Sequence, residues 1–216
     1  VGSEMCIRDR TTKSSLENQR KQSMSTIERK YFFFVRHAET IWNSQKLCQG
    51  QKDIPLSEKG ILEAKSFALE IQSANIECIV SSPLNRALQT AREIHHFHPD
   101  AQFHIIDELA ERMWGELEGI SSEQMYEIER LEEKFLYDPE KGVEPRHIFR
   151  ERVLKGIFKS QKYSSHPFIV SHGRVFKELC YLLDMPVIEQ LASCQLVKII
   201  PKNSNWTANI IQRSHR

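Results

Sequence analysis

Four aromatic residues in a row, Tyr31-Phe32-Phe33-Phe34, run directly into Val35-Arg36-His37. A short apolar run bounded by polar residues reads as a strand buried on both faces. Such strands belong to sheets covered by helices on both sides, which restricts the chain to layered α/β architectures. A second run, Phe168-Ile169-Val170, ends in the same manner on Ser171-His172-Gly173. The Arg-His pair sets a fixed cation beside an imidazole nitrogen that can act as a nucleophile. Two strand-end histidines and a second arginine elsewhere are the parts needed to move a phosphoryl group through histidine.

The rest of the chain alternates in the same sense. Strands are expected at 31–36, 78–80, 103–106, 168–171, 196–200 and 208–211. A helix opens at Ser57 as N-cap, and another follows Ser82 as cap with Pro83 in its first turn and runs through Ile94. Further helices are expected at 121–137, 144–163 and 175–183, with a loop over 41–56 containing Gly50 and Pro55. This order predicts an α/β three-layer sandwich with a mostly parallel central sheet flanked by helices. Ligands in such sheets sit beyond the carboxyl ends of the strands. Arg36-His37, Ser81-Ser82 and His172 all fall at such ends. Residues 31–212 read as one domain. Residues 1–10 resemble a translated sequencing adapter and are set outside the fold, and residues 11–30 read as a disordered polar tail.

Bulk properties exclude several classes. The net charge of +1 offers no case for nucleic acid or an anionic membrane as partner, and no run approaches the ~20 apolar residues of a span. The 5 cysteines include no CxxC pair, so neither zinc nor a disulfide framework is indicated, and reduced thiols suit a cytoplasmic protein. The cluster His95-His96-Phe97-His98 has only Asp100 as a nearby carboxylate, and no metal site is predicted there. Oligomeric state is open, a homodimer included.

Further motifs stand in order along the chain. They are Arg36-His37-Ala38-Glu39-Thr40-Ile41-Trp42-Asn43, then Gln49-Gly50, then Asp53-Ile54-Pro55-Leu56-Ser57 with Gly60. Next come Ser81-Ser82-Pro83-Leu84 with Arg86-Ala87 and Thr90-Ala91. Glu108-Leu109 follows with Glu111, Gly115 and Glu118-Gly119, and last Ser171-His172-Gly173. On these residues the chain resembles the histidine phosphatase superfamily, also called the phosphoglycerate mutase-like family, over nearly all of 31–211. The resemblance implies a phosphoglycerate mutase-like sandwich and a histidine acid-type phosphatase, a phosphoric monoester hydrolase.

It also implies roles. His37 is the nucleophile, which must be unprotonated at the attacking nitrogen. Arg36 and Arg86 are phosphate clamps, since guanidinium forks match phosphoryl oxygens and stay charged. His172 donates to a phosphoryl oxygen, and Gly173 lets the backbone approach closely. Glu111 is the general acid, its pKa raised with help from Met113 and Trp114. Its choice over Glu108 and Glu118 comes from the resemblance and not from chemistry. Asn43, Gln49 and Gly50 match positions lining the phosphate pocket. No cofactor or metal is implied, because two arginines and two histidines do the work that Mg²⁺ does elsewhere. The partner implied is a small-molecule phosphate ester.

Two departures from the family pattern matter. Ala38 stands for the commoner Gly, which is harmless unless the backbone there needs positive φ. Mutases follow the acid with Arg-His-Tyr-Gly and then with a lysine and an arginine pair that hold the substrate carboxylate. Here Met113-Trp114-Gly115 follow Arg112, the lysine position falls near Ser122, and 121–137 contains no Arg-Arg pair. The phosphatase branch is therefore expected, hydrolysing a small phosphorylated metabolite. The alternatives are a cofactor-dependent phosphoglycerate mutase and a non-catalytic phospho-ligand module. A segment over 114–163 is expected to wall one side of the pocket.

Overall fold

A computed structural model describes residues 27–133 and 142–211. The adapter-like residues, most of the expected tail, the end of the 121–137 helix and position 212 lie outside them. The elements in chain order are β1 (Phe32–Arg36), α1 (Ile41–Ser44), α2 (Glu58–Glu70), β2 (Cys78–Ser81), α3 (Asn85–Phe97) and β3 (Gln102–Ile105). They continue with α4 (Ser122–Glu133), α5 (Arg146–Tyr163), β4 (Phe168–Ser171), α6 (Gly173–Leu182), β5 (Leu196–Lys202) and β6 (Asn205–Ile211).

The strands form one sheet in the order β3-β2-β4-β1-β5-β6. The first four run parallel, and β5 and β6 add an antiparallel hairpin beside β1. The period-2 alternation of the strands divides the core. Phe32, Phe34, Cys78, Val80 and Ile169 pack with Phe149, Val153 and Ile157 of α5 and Phe176 and Leu179 of α6. Val35, Ile79, Phe168 and Val170 face the other way, onto Ala64, Phe67, Ala87, Ala91 and Ile94 of α2 and α3. A smaller cluster joins Cys48, Trp114, Met125 and Val143, with Leu117, Ile120, Tyr126 and Ile128 packed against it. Among the described residues no helix is long and apolar enough to cross a membrane.

Three local expectations are corrected. Residues 27–30 are seated and not tail-like: Ile27 is buried in the α5–α6 core, and Glu28 exchanges two hydrogen bonds with the Gln161 side chain at 2.8 and 2.9 Å. A single buried isoleucine outweighs the polar composition around it. The 41–56 loop begins with the helical turn α1, because Thr40 and Asn43 form a reciprocal capping box. Ser82 does not cap α3, whose N-cap position is Leu84. Asp53 takes that role from the preceding loop, accepting from Asn85 N at 2.7 Å and from Asn85 Nδ2 at 2.6 Å. Ala38 has no positive φ, so its substitution for glycine carries no backbone strain.

Ser57 caps α2 by accepting from Gly60 N, and its own N–H donates to Glu39 O. The helix thereby lies so close to the chain leaving β1 that a Cβ on Gly60 would stand 1.9 Å from Glu39 O. Gly60→Ala is expected to cost about 1–3 kcal/mol, a fall of roughly 2–12 °C in Tm for a domain of this size. An unchanged melting curve would contradict this tight approach.

Candidate active site

The three central parallel strands bring distant chain positions to one edge. Arg36 pairs in register with Ser171, His37 N donates to Ser171 O at 3.0 Å, and Ser82 N donates to Val170 O at 3.0 Å. The carboxyl ends of β1, β4 and β2 are thus fixed side by side, with His37, His172 and Ser82 one step beyond them. The rings of His37 and His172 are 5.1 Å apart between centroids.

His37 is 3% exposed. Its Nδ1 lies 2.7 Å from Ala38 O. A carbonyl only accepts, so Nδ1 carries the proton and Nε2 keeps its lone pair. Burial, reinforced by Arg86 and Arg36, holds the imidazole pKa well below its ordinary value. The ring is therefore neutral at pH 7.

His172 is buried outright, and its pKa is lowered first by burial and then by Arg86, His37 and Arg36. Its Nε2 lies 2.6 Å from Ser82 Oγ, which also accepts from Leu84 N. The tautomer in which Nε2 accepts from that hydroxyl carries its proton on Nδ1. Among the described residues that buried nitrogen has no hydrogen-bond partner.

The same holds for Arg36 Nε and Arg86 Nε. Arg36 Nη1 donates to Leu191 O at 2.6 Å. The Arg86 guanidinium, 1% exposed, donates to Lys52 O at 2.9 Å and Gly50 O at 2.7 Å. Burial pushes its pKa down to about 10, so it remains a cation at pH 7. Gly50 has φ +53°, and a Cβ there would meet Glu118 Oε1 at 2.1 Å, so glycine is required where the loop turns to hold Arg86. Two buried guanidinium N–H donors and a buried imidazole nitrogen, none matched by a protein partner among the described residues, describe a seat for an oxyanion.

A cleft of about 630 Å³ opens on this seat, lined by Arg36, His37, Asn43, Gln49, Gly50, Arg86, Glu111 and Gly173 among others. His172, fully buried beside His37, is not among the residues that line the cleft. Thr40 Oγ1 lies 2.9 Å from Gln49 Oε1 and 3.0 Å from Asn43 Oδ1, which leaves both amide NH₂ groups as donors. A Cβ on Gly173 would meet Arg36 Nε at 3.8 Å, ordinary contact, so nothing in the protein itself demands glycine there.

The structure separates the three glutamates on which chemistry was silent. Glu108 is ion-paired with Lys159 outside the cleft. Glu118 Oε1 accepts from Gln51 N and Trp114 N, which staples the 41–56 segment to the 111–118 segment. Only Glu111 of the three faces the cleft. Its carboxylate accepts from Arg112 N at 3.1 Å and Arg174 N at 3.3 Å. Burial raises its pKa, against the pull of Arg86 and Arg174. Trp114 lines the same cleft as Glu111, but Met113, expected to help bury it, is 40% exposed and not in the lining.

Trp114, Ser122, Met125 and Tyr126 form one wall, as expected for the 114–163 segment. Residues that sequence reasoning missed also line the cleft: Arg174, Glu189, Gln190, Leu191 and Cys48. The Cys48 thiol is pushed up to about 12 by burial and by Glu111 and Glu118, so it stays uncharged.

Comparison with known proteins agrees with this geometry. A Bacillus subtilis protein described as the uncharacterized phosphatase PhoE is 32% identical over 154 residues, 67% of this chain and 72% of its own length. The 2,3-bisphosphoglycerate-dependent phosphoglycerate mutase of Chlamydia muridarum is 29% identical over 215 residues, 83% of this chain and 95% of its own. A solved phosphoglycerate mutase from Bacillus anthracis shares the fold with a TM-score of 0.71 at 21% identity, over 85% of this chain and 94% of that one. A sequence profile of branch 1 of the histidine phosphatase superfamily matches residues 32–212. The chain belongs to that superfamily, a family of phosphatases and mutases.

Proposed function

We propose that this protein is a metal-independent phosphomonoesterase that hydrolyses a small phosphorylated metabolite through a phosphohistidine on His37. The observation that carries the reading is the set of buried nitrogens without protein partners, Arg36 Nε, Arg86 Nε and His172 Nδ1, on residues that neighbour the neutral His37 imidazole. Guanidinium and N–H groups offer no lone pair to a cation but suit a phosphoryl group in flight.

In the first step His37 Nε2 attacks phosphorus, the P–O bond to the alcohol breaks, and Glu111 gives its proton to the departing oxygen. In the second, the Glu111 carboxylate takes a proton from water, whose oxygen displaces His37 and releases inorganic phosphate. Arg36, Arg86 and His172 meet the equatorial oxygens in both steps. Hydrolysis of an aryl phosphate in excess EDTA, with the protein quenched in alkali and scored for acid-labile phosphate, tests this. Turnover together with label is expected, and turnover lost to EDTA or without label contradicts it.

The pH profile follows from the shifts. His37 is deprotonated down to well below its usual range, so the acid limb lies low. Glu111 must be protonated for the first step, so kcat/KM falls as pH rises through its raised pKa. In Glu111→Gln the alkaline limb is expected to vanish and esters with poor leaving groups to slow by roughly 10²–10⁴-fold. Activated aryl phosphates should slow less. An unaltered limb would assign the acid elsewhere.

A phosphoglycerate mutase is the second reading. Mutase relatives match over nearly their whole length, and the cleft contains a third guanidinium, Arg174, outside the 121–137 segment where the mutase pattern has its cations. Phosphoryl transfer between phosphoglycerates that outpaces phosphate release would establish it.

A further inference from the structure

Glu111 stands outside any helix or strand. A short helical turn, Asp107–Leu109, ends just before it, and the next turn begins at Gly115. Backbone carbonyls in such a stretch must find partners elsewhere. Here side chains supply them along successive residues. Arg152 of α5 donates to Glu108 O at 3.0 Å, to Ala110 O at 2.8 Å and to Glu111 O at 3.1 Å. Ser171 Oγ donates to Leu109 O at 2.8 Å, and Gln51 Nε2 donates to Glu111 O at 3.0 Å. The other donors of Arg152 meet Glu144, Nε at Oε1 (2.8 Å) and Nη2 at Oε2 (2.7 Å). Every N–H of the guanidinium is thereby used. Glu144 closes the frame, since its N–H donates to Met113 O at 2.9 Å and its Oε2 accepts from Met113 N at 3.3 Å. The helix also lies against the turn itself. A Cβ on Gly156, one turn along from Arg152, would stand 2.9 Å from Leu109 Cδ2.

We propose that Arg152 is a positioning residue for the acid step: its fork, braced by Glu144, fixes the backbone of Glu111 so that the carboxyl meets the leaving oxygen. The inference rests on the phosphomonoesterase reading for the role of Glu111. The Glu111 carboxylate accepts from the backbone N–H groups of Arg112 and Arg174, so its place follows the main chain. A misplacement of about 1 Å at a reacting group costs on the order of 10²-fold. Arg152 is not among the residues lining the cleft, so its influence on the reaction passes through Glu111. A lysine keeps the charge but has fewer donors and no planar fork, so it cannot hold the whole set. Lys159, further along the same helix, instead meets the Glu108 side chain.

The test measures kcat/KM by phosphate release for β-glycerol phosphate, phenyl phosphate and para-nitrophenyl phosphate, whose alcohols leave with increasing ease. It compares wild type, Arg152→Lys, Lys159→Ala, Glu111→Gln and the double variant Arg152→Lys/Glu111→Gln. Arg152→Lys is expected to lose roughly 10–100-fold on the glycerol ester and no more than about threefold on the nitrophenyl ester. Its calorimetric Kd for inorganic phosphate should match wild type. In the Glu111→Gln background the same substitution should change kcat/KM by no more than about twofold, because the carboxyl it serves is gone. Lys159→Ala should keep the wild-type ester profile. Glu144→Gln leaves the fork without its brace. It should show the Arg152→Lys pattern at smaller size, and it takes the place of Arg152→Lys if that variant does not fold. An equal loss on all three esters, an additive loss in the double variant, or no loss at all overturns the proposal. Absence of hydrolysis of every ester, or a wild-type ester profile in Glu111→Gln, counts against the phosphomonoesterase reading instead. Carbon-NMR titration of the Glu111 carboxyl then decides the placement without turnover. Burial raises its pKa against Arg86 and Arg174, and loosening its backbone in Arg152→Lys should bring it down toward the ordinary carboxylate range. An unmoved titration would overturn the placement by Arg152.

Discussion

In His37→Ala, ester hydrolysis is expected to fall by roughly 10⁴-fold or more, and the acid-labile label to disappear. The size of the loss follows from the lack of a substitute. The neighbouring imidazole of His172 is engaged at Nε2 by Ser82 Oγ, and with Nε2 accepting there its other nitrogen carries the proton. No second lone pair faces the phosphoryl seat from the histidines. The clamps do not depend on His37, because Arg36 and Arg86 are fixed by carbonyls of Leu191, Gly50 and Lys52. Inorganic phosphate is therefore expected to bind the variant with affinity within about tenfold of wild type. Stability should change little, since among the described residues the His37 side chain hydrogen-bonds only to Ala38 O, and the backbone bond to Ser171 O is kept. Turnover surviving in the variant would end the phosphohistidine mechanism.

Arg86→Met is expected to lower kcat/KM by roughly 10²–10³-fold while leaving Tm within a few degrees of wild type. Two effects on stability oppose each other. Holding a guanidinium where burial lowers its pKa from 12.5 to about 10 costs on the order of 3 kcal/mol, which methionine removes. The substitution also strands Gly50 O and Lys52 O, at about 1–3 kcal/mol for each acceptor left without a partner. The near cancellation marks a cation kept for chemistry. Arg112 differs, since it meets Glu132 through two 2.7 Å contacts in the α4 wall, a pair whose breaking costs about 3–5 kcal/mol. A large fall in Tm for Arg86→Met with activity preserved would reverse the assignment.

The strand ends were legible because their signal is local. An uninterrupted apolar run followed by Arg-His or Ser-His needs no knowledge of the rest of the chain, and the layer order follows from alternation. What stayed hidden was set by contacts between distant segments. Ser82 has the chemistry of a cap, but the helix after it takes its acceptor from Asp53 across 32 positions, which leaves the hydroxyl to His172. Glu111 is one carboxylate among three until burial and backbone donors separate it from Glu108 and Glu118. Arg174 carries no local signal, since the mutase pattern places its carboxylate-holding lysine and arginine pair along 121–137. The sheet instead brings it in from the first turn of α6, just after His172-Gly173.

The contacts that build the pocket also govern how it comes into being. Ser82 and His172 meet across 90 positions of chain, and Arg36 reaches Leu191 across 155. Closing loops of that length precedes any reward from the contacts they allow, and parallel pairing of this range is slow. No hairpin or single βα unit of this chain contains both histidines and both clamps. During refolding the pocket therefore cannot form before β1 has docked against β4. Recovered turnover is thus a clock for that docking, and helical signal regained earlier belongs to chains that cannot yet hold a phosphate.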